Sequence, residues 1–403
     1  MKKILFVDDE RAILDGLRLA LRKQRGAWEM DFAEGPEDAL GKVAAKAYDV
    51  VVTDVQMPTM DGPTLLGRIK ESHPSTTRII LSGHANEEAA LRSLPVSHQF
   101  LAKPCDPQAL VAVIERTCKL QELLRDERLR ELVGSLDRLP SPSRVYQEMS
   151  AAMCEREPSI KRIAEIVEGD PGMTTKVLQL VNSSYFGLAQ RVVSVERALV
   201  YLGLEVVRSI ALTQRLFSAA EGGIVVPGYE LDRAQVRSLL AARIAKRLAG
   251  EGQNREEAFT SALLLDVGEV VLVTVVPEIL RKLAESDAGA EGPSHVKERE
   301  ALGVSHAEVG AYLLGLWGLP PAIVEAVAYH HEPSAVASHT ADALTVGHFA
   351  AGAVHAAVAN RPISEMPLDR DYLDGVGVGA AQVEEWSAIA SEEVRRWRER
   401  MND

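Results

Sequence analysis

The hydrophobic positions of the chain follow two different periods, and the change falls near residue 140. Before it, short apolar runs rich in Val and Ile alternate with segments of helical period, and the runs lie at 4–7, 29–33, 49–53, 78–81 and 98–101. This alternation predicts an α/β domain, a doubly wound five-stranded parallel sheet with helices on both faces. After the prolines at 140 and 142 nearly every segment has the 3.6-residue period, which predicts an all-α helical bundle.

Polar side chains follow four of the predicted strands. Asp8 and Asp9 come after the first strand, Asp54 ends the third, Ser82 the fourth and Lys103 the fifth. The carboxyl ends of parallel strands meet at one edge of a sheet, so we expect these side chains to lie together. Three crowded carboxylates favour a hard divalent cation such as Mg²⁺, which with the Lys103 ammonium would neutralise an incoming phosphoryl group. The pattern therefore predicts that Asp54 is the nucleophile of an acyl phosphate and that the Ser82 hydroxyl is a phosphate-dependent switch.

This pattern resembles the receiver domain of bacterial two-component response regulators. The resemblance covers roughly residues 1–120 and rests on VDDE from residue 7, DVQMP from 54 with the DG pair at 61–62, LSG from 81 and FLAKP from 100. It implies that Asp8, Asp9, Asp54 and the backbone carbonyl of Gln56 bind Mg²⁺. It also implies that a sensor histidine kinase or a phosphotransfer protein is a partner.

The same resemblance assigns roles at the end of the fifth strand. It implies that Phe100 reorients when Ser82 moves on phosphorylation, with Lys103 contacting the phosphoryl group. It also implies a cis bond between Lys103 and Pro104, since bonds that precede proline tolerate this isomer.

The segment 106–137 is charged and has the period of a helix, with leucines spaced three or four apart and one phase break. We interpret it as a connector helix. Its stripe of leucines is either a short coiled-coil seam, which would make a homodimer, or a surface that packs on the output domain of the same chain. The dimer seam is slightly favoured.

The helical part resembles the HD-related output domain, HDOD, over roughly residues 138–335, with a C-terminal helical extension at 336–403. The segments that carry the resemblance are DPGMT from 170, VNSSYFG from 181, SVERALVYLG from 194, ALLLDVG from 262, HAEVG from 306 and WGLP from 317. Receiver and HDOD domains are a familiar combination, and the HDOD domain implies an output that acts by binding a downstream signalling protein.

Phosphohydrolases of the HD superfamily resemble this fold and hold divalent metals with an early His, a His-Asp pair and a later Asp. In this chain the pair reads Leu265-Asp266, and Arg237 is predicted where the early His would lie. Asp266, His306, His330 and His331 remain as a degenerate site, for which no metal is expected. For Asp266 the structural alternatives are a helix cap or an ion pair with Arg237; for the histidines they are packing or surface roles.

Composition narrows the function further. The formal net charge of −13 argues against nucleic acid and against an anionic membrane as partners. Uninterrupted apolar stretches of about 18 residues are absent and the start does not read as a signal peptide, so we expect a cytoplasmic protein. The three cysteines are expected to be reduced.

These observations predict a response regulator in which phosphorylation of Asp54 controls a non-catalytic output domain. The alternative is a phosphorylation-gated, metal-dependent phosphohydrolase of the HD type that acts on a cyclic or another nucleotide. A transcription factor is disfavoured because the sequence shows neither a helix-turn-helix signature nor a basic helix.

Overall fold

The structure is a computed structural model, and it divides the chain into two compact units. The first unit contains Met1–Arg138, Gln179–Arg191 and Tyr312–Gly318; the second contains Leu139–Leu178, Val192–Ala311 and Leu319–Asp403. The residues that the structure describes are 1–82, 96–103, 105–124, 126–136, 140–141, 148, 152, 159–182, 188, 190–203, 218–219, 226, 231–250, 254–286, 294–336 and 340–402.

The first unit is built on a five-stranded parallel sheet of strand order β2-β1-β3-β4-β5. Its strands are β1 (Lys2–Asp8), β2 (Trp28–Glu34), β3 (Val50–Asp54), β4 (Thr77–Ser82) and β5 (Gln99–Ala102). Its helices are α1 (Arg11–Ala20), α2 (Pro36–Ala45), α3 (Gly62–Ser72), α4 (Pro107–Leu123) and α5 (Glu127–Ser135). The predicted fold class of this part is confirmed.

Alternate residues of the central strands are buried on opposite faces of the sheet. Ile4 and Val52 belong to one core cluster together with Leu14 of α1 and Ile114 of α4. Val51, which points the other way along β3, is fully buried as well. Burial on both faces explains why the strands read as continuous apolar runs.

A buried guanidinium ties α5 to the sheet. Arg78, on β4, is 1% exposed, and its side chain donates hydrogen bonds to the carbonyl oxygens of Val96 at 2.7 Å and Gly134 at 2.8 Å. Burial lowers the pKa of Arg78 to about 10, so the group stays charged at neutral pH. Gly134 fits closely here, because a Cβ would lie 2.3 Å from the carbonyl oxygen of Pro74.

The expectation of one connector helix over 106–137 is wrong in its continuity. Leu124 and Asp126 are not helical, and the Asp126 side chain caps a new helix by accepting from the backbone N–H of Leu129. Leu120, Leu124 and Leu129 are 6% exposed or less within this one chain. These three leucines are therefore not available to a partner helix, which argues against the seam as the dimer contact; the homodimer itself stays a prediction.

The second unit is helical, which confirms the predicted bundle. Its helices include α6 (Ile160–Glu168), α7 (Pro171–Val181), α8 (Val195–Leu202), α9 (Leu231–Leu248), α10 (Asn254–Leu264), α11 (Val267–Val275), α12 (Pro277–Ser286), α13 (Ser294–Leu302), α14 (His306–Leu316) and α15 (Pro321–Tyr329). The ends of α7 and α14 belong to the first unit. A two-stranded pairing of β6 (Pro140–Ser141) with β7 (Ser218–Ala219) accompanies the helices.

The C-terminal part adds α16 (Ala343–Val358), α17 (Arg370–Gly375) and α18 (Ala380–Asn402). Helices α9 and α10 pack against each other, and α16 packs against both and against α15. Trp386 anchors α18 by meeting Phe349 of α16 edge to face. Gly375 ends α17, and residues 376–379 form the connection to α18.

One segment of the described chain, Arg255–Val275, is long and apolar enough to cross a membrane, with a mean hydropathy of 1.8. It consists of the two helices α10 and α11, and 72% of its most apolar window is buried inside the protein. Core helices of soluble proteins pass the same test, so the segment is weak support for a membrane span.

Candidate functional site

Three of the side chains predicted to meet at the sheet edge do so. The Lys103 ammonium nitrogen lies 2.6 Å from Oδ1 of Asp54 and 2.7 Å from Oδ2 of Asp8. Asp8 is 2% exposed, whereas the side chain of Asp54 is 14% exposed and reachable from outside. One cation therefore bridges two carboxylates from strands that are neighbours in the sheet.

The charges at this edge compensate one another. Burial by itself would lower the pKa of Lys103, but hydrogen bonds to Asp54 and Asp8 and their negative charge raise it. Lys103 consequently carries its full charge at physiological pH. An ammonium held in this way is placed to balance negative charge that develops on the Asp54 side chain.

The turn after β3 is shaped by a close backbone approach. A Cβ on Gly62 would lie 2.0 Å from the carbonyl oxygen of Asp54, so only glycine fits at this position. Asp61 caps α3 by accepting from the backbone N–H of Thr64 at 3.0 Å. The Asp-Gly pair thus brings the start of α3 against the end of β3 and fixes the backbone of Asp54.

The other predicted residues of this edge are placed as follows. Asp9 is half-buried directly after β1, and Gln56 is exposed, with its backbone N–H donating to Oδ2 of Asp54 at 3.1 Å. Ser82 ends β4, and Phe100 lies in β5 opposite Ile80. The side chains of Ser82 and Phe100 are outside the part of the chain that the structure describes, as is the bond between residues 103 and 104.

A second cluster forms in the helical unit from the four residues of the degenerate site. Nε2 of His306 lies 2.9 Å from Nε2 of His331 and 3.6 Å from Oδ1 of Asp266. Nε2 of His330 lies 3.7 Å from the same Asp266 oxygen. Three imidazoles and one carboxylate therefore point their ligand atoms at a common volume, although they come from three separate segments of the sequence.

The partners of the other ring nitrogens fix how two of these imidazoles point. Nδ1 of His306 donates to Oε2 of Glu298 at 2.7 Å, and the same oxygen accepts the backbone N–H of His306. Nδ1 of His330 donates to the carbonyl oxygen of Val327 at 2.9 Å. Each Nδ1 is thereby occupied as a donor, which directs the Nε2 atoms of both rings towards Asp266.

Burial and charge act in opposite directions on the histidines. Burial would lower the pKa of His306, but the charge of Glu298 and the hydrogen bond to it raise this pKa to about 9. Burial lowers the pKa of His330 to about 4 and that of His331 far below its usual range. His331 also stacks on His295, with ring centroids 3.9 Å apart.

The pKa values of the two acidic groups beside the histidines are shifted in opposite directions. Burial would raise the pKa of Asp266, but the charges of His306, His330 and Arg237 lower it. Burial raises the pKa of Glu269 to about 7 in spite of its contact with Arg237. Both carboxylates line a cavity of about 490 Å³, which Arg237, His306 and His331 also line.

Of the structural alternatives for Asp266, the helix cap is wrong, because its side chain makes no capping hydrogen bond at the start of α11. Asp266 is instead paired with His306 and His330 and also feels the charge of Arg237, which forms an ion pair with Glu269. Asp342 lies in the region where the hydrolases have their later aspartate, and it caps α16 through a reciprocal pair of hydrogen bonds with Thr345. His348 contacts the backbone carbonyl oxygen of His330 through Nδ1.

Sequence reasoning missed three members of this cluster. Glu298 contacts His306, and Glu269 contacts Arg237. The ring of His295 stacks on the ring of His331. The only signal for Glu269 was its position one helical turn after Asp266. Glu298 and His295 lie on α13, whose sequence shows no periodic apolar face that would have placed them inward.

The two folds and their sites define a chain in which a receiver domain precedes an HDOD domain. The family model of the response regulator receiver domain matches residues 4–115, and the model of the HDOD domain matches residues 139–333. The chain is accordingly a response regulator that joins a receiver domain to an HDOD domain. The two resemblances inferred from the sequence are confirmed.

The chain is similar to several known proteins over part of its length. An uncharacterized protein of Treponema pallidum (strain Nichols) is 28% identical over 206 residues, which are 50% of this chain and 39% of that protein. The transcriptional regulatory protein YesN of Bacillus subtilis (strain 168) is 36% identical over 130 residues, 32% of this chain and 34% of that protein. The chain thus spans less than half the length of these curated relatives.

Among solved structures, the MmoQ response regulator from Methylococcus capsulatus str. Bath is 25% identical, with a TM-score of 0.49. The alignment covers 62% of this chain and 98% of MmoQ.

Proposed function

We propose that this chain is the phosphoacceptor of a two-component phosphorelay, and that phosphorylation of Asp54 controls a non-catalytic HDOD domain. The observation that carries the proposal is the bridge that Lys103 makes between Asp54 and Asp8 at the sheet edge. It supplies a partly exposed carboxylate next to a fixed positive charge, as acyl phosphate formation requires.

The chemistry at the edge follows from these groups. A carboxylate oxygen of Asp54 attacks the phosphorus of the donor, and the bond from phosphorus to the donor's leaving group breaks as the acyl phosphate forms. The Lys103 ammonium faces the added negative charge. The donor is a sensor histidine kinase or a phosphotransfer protein.

The donor set at this edge fits Mg²⁺. Asp8 and Asp54 each direct a carboxylate oxygen towards the Lys103 ammonium, so these oxygens lie close together. The half-buried Asp9 directly follows Asp8 in the sequence. Hard oxygen ligands of this kind suit Mg²⁺, with the Gln56 backbone carbonyl as a further ligand. A bound Mg²⁺ supplies charge neutralisation for the phosphoryl oxygens.

The proposed output is binding of a downstream signalling protein by the HDOD domain, in the cytoplasm and without nucleic acid. Ser82 and Phe100 would transmit the phosphorylation state from the sheet edge. In the helical unit, Leu265 stands where the hydrolases of the superfamily have the histidine of their His-Asp pair, and Arg237 pairs with Glu269.

The test is labelling of the full-length chain with acetyl phosphate in the presence of Mg²⁺, read by intact mass. One phosphoryl group is expected on the wild type and none on Asp54→Ala or in the presence of EDTA. Asp15→Asn is the control, because Asp15 is 56% exposed and pairs only with Arg18 on α1 among the residues described. Labelling that persists in Asp54→Ala contradicts the proposal.

A second candidate function is a phosphohydrolase gated by the receiver domain. The observation that favours it is the convergence of Asp266, His306, His330 and His331 beside a cavity of about 490 Å³. It is tested by incubating the phosphorylated full-length chain and Mn²⁺ with cyclic dinucleotides and nucleotide phosphates. Turnover that Asp266→Asn abolishes would make the output domain an enzyme; absence of turnover would leave the binding output.

A further inference from the structure

We infer that the helical unit holds one divalent transition-metal ion, bound by Asp266, His306, His330 and His331. This inference departs from the expectation, drawn from the sequence, that the HDOD domain binds no metal. The site lies in a different unit from Asp54, and it requires neither phosphorylation nor hydrolysis. Failure of the proposed phosphoacceptor function would therefore leave it untouched.

The spacing of the four ligand atoms fits a metal site. Atoms bound to Zn²⁺ at about 2.0–2.1 Å lie roughly 3.3 Å apart at the corners of a tetrahedron. The separations of 2.9 Å from His306 to His331 and of 3.6 and 3.7 Å from the two buried histidines to Asp266 lie around this value. One ring nitrogen from each of His306, His330 and His331 lies within 4.8 Å of the other two.

The unpartnered nitrogen of His330 is the second, independent observation. His330 is 1% exposed, and its Nε2 has no hydrogen-bond partner among the residues described. Because Nδ1 donates to the Val327 carbonyl, the neutral ring presents a lone pair at Nε2, and that lone pair faces a carboxylate oxygen of Asp266. Two electron-rich atoms at 3.7 Å are too far apart for a hydrogen bond, but a cation between them satisfies both.

The surroundings of the histidines match those of metal-ligating imidazoles. Metal-bound histidines generally donate their other ring N–H to a carboxylate or a backbone carbonyl, which fixes the tautomer and the ring. His306 donates to Glu298, a side chain that is 0% exposed, and His330 donates to Val327. Both arrangements occur in a single cluster here.

The ligand types select the class of ion. Three imidazoles and one carboxylate suit Zn²⁺, Fe²⁺ or Co²⁺ and disfavour Mg²⁺ and Ca²⁺, which take oxygen ligands. The set differs from the His, His-Asp and Asp tetrad of the HD hydrolases, because it keeps only Asp266 of the pair. Asp266 is 28% exposed, so the ion's open side faces the cavity.

The experiment uses the full-length chain with any affinity tag removed. The purified protein is dialysed against EDTA and titrated with Co²⁺, with the visible absorption of the bound ion and the melting temperature as readouts. One Co²⁺ per chain and a higher melting temperature are expected for the wild type. Zn²⁺ is expected to displace the Co²⁺ spectrum.

The variant His330→Gln should weaken Co²⁺ binding at least about tenfold. Asp266→Asn should weaken Co²⁺ binding by a similar factor. Because Asp266 is less buried than His330, this second variant still tests the site if His330→Gln does not fold. His355→Gln is the matched control, because His355 is exposed, lines the same cavity and lies outside the cluster. The inference is overturned if the wild type shows no Co²⁺ spectrum, or if His355→Gln reduces binding as much as the cluster variants do.

Discussion

Gly268 lies directly against the backbone of His306. A Cβ at Gly268 would come within 1.8 Å of the His306 carbonyl oxygen and within 2.8 Å of the backbone nitrogen of Gly310. Helices α11 and α14 can approach this closely only because side chains are missing from the contact. The approach brings Asp266, two residues before Gly268, next to the imidazole of His306.

Substituting Gly268→Ala should therefore force the two helices apart. We expect a loss of about 1–3 kcal/mol in the free energy of unfolding, since overpacking of a fixed backbone contact costs this much. Co²⁺ binding should weaken at the same time, because Asp266 moves away from His306. Urea denaturation of the full-length chain measures the first effect and a Co²⁺ titration the second.

The control for this prediction is Gly347→Ala, also inside a helix. A Cβ at Gly347 would meet the Leu265 side chain at 3.6 Å, an ordinary contact distance. Because alanine favours helix over glycine by roughly 0.5–1 kcal/mol, this variant should be neutral or more stable. Equal losses in both variants would contradict the role given to Gly268.

Glu298 should act on metal affinity through His306. Its Oε2 accepts from both Nδ1 and the backbone N–H of His306. In Glu298→Gln the neutral amide oxygen can keep these contacts but loses the negative charge, and we expect Co²⁺ affinity to fall by about 10–100-fold. Glu300→Gln, at an exposed position of the same helix, should bind like the wild type.

Lys103 should set the rate of phosphorylation. Replacing it by glutamine removes the charge that lies 2.6 Å from Asp54, so labelling by acetyl phosphate should slow by about 10²-fold. The initial rate by intact mass measures this. Lys42→Gln, which removes an ammonium paired with Asp38 on α2, should leave the rate unchanged. A wild-type rate in Lys103→Gln would argue against this charge as a stabilising group.

Glu168 should make the stability of the chain depend on pH. Burial raises its pKa above the ordinary 4.5, and Glu196, Glu256 and Glu165 add to this, while Lys246 opposes it. Because the folded chain then holds this proton more tightly than the unfolded chain does, stability falls as pH rises from 4.5 through the raised pKa. Above that pKa the loss is complete.

The variant Glu168→Gln, which cannot ionise, should therefore be more stable than the wild type at pH 8, and its advantage should vanish as the pH falls below 4.5. Urea midpoints across this range measure the difference. Glu165→Gln, exposed on the same helix, should show a much smaller change. An advantage that is constant with pH would exclude ionisation as the cause.

The receiver sheet could be predicted from the sequence because its signals are local. A continuous apolar run such as Val50–Asp54 identifies a buried strand, and the strand's end identifies the sheet edge. Since all five strands are parallel, Asp8, Asp54 and Lys103 had to meet there. The bounds of most strands differed from the prediction by one residue at each end.

The histidine cluster could be predicted only in part, because its members come from separate helices. The resemblance supplied Asp266, His306, His330 and His331, but a comparison of residue types counts ligands and not their positions. The missing histidine at Leu265 therefore suggested a lost site. Glu298, which orients His306, belongs to no motif, and its role follows only from the packing of α13 on α14.

The hydrogen bond from Arg78 to the Gly134 carbonyl indicates where the receiver domain ends as a stable fragment. The receiver resemblance ends near residue 120, yet the guanidinium buried under β4 is completed by a residue beyond that point. A fragment that stops at residue 120 would lack the Gly134 carbonyl and would leave this buried positive charge with one acceptor fewer. Proteolysis of the intact chain should accordingly release a receiver piece that ends after Gly134, with α5 as its last helix.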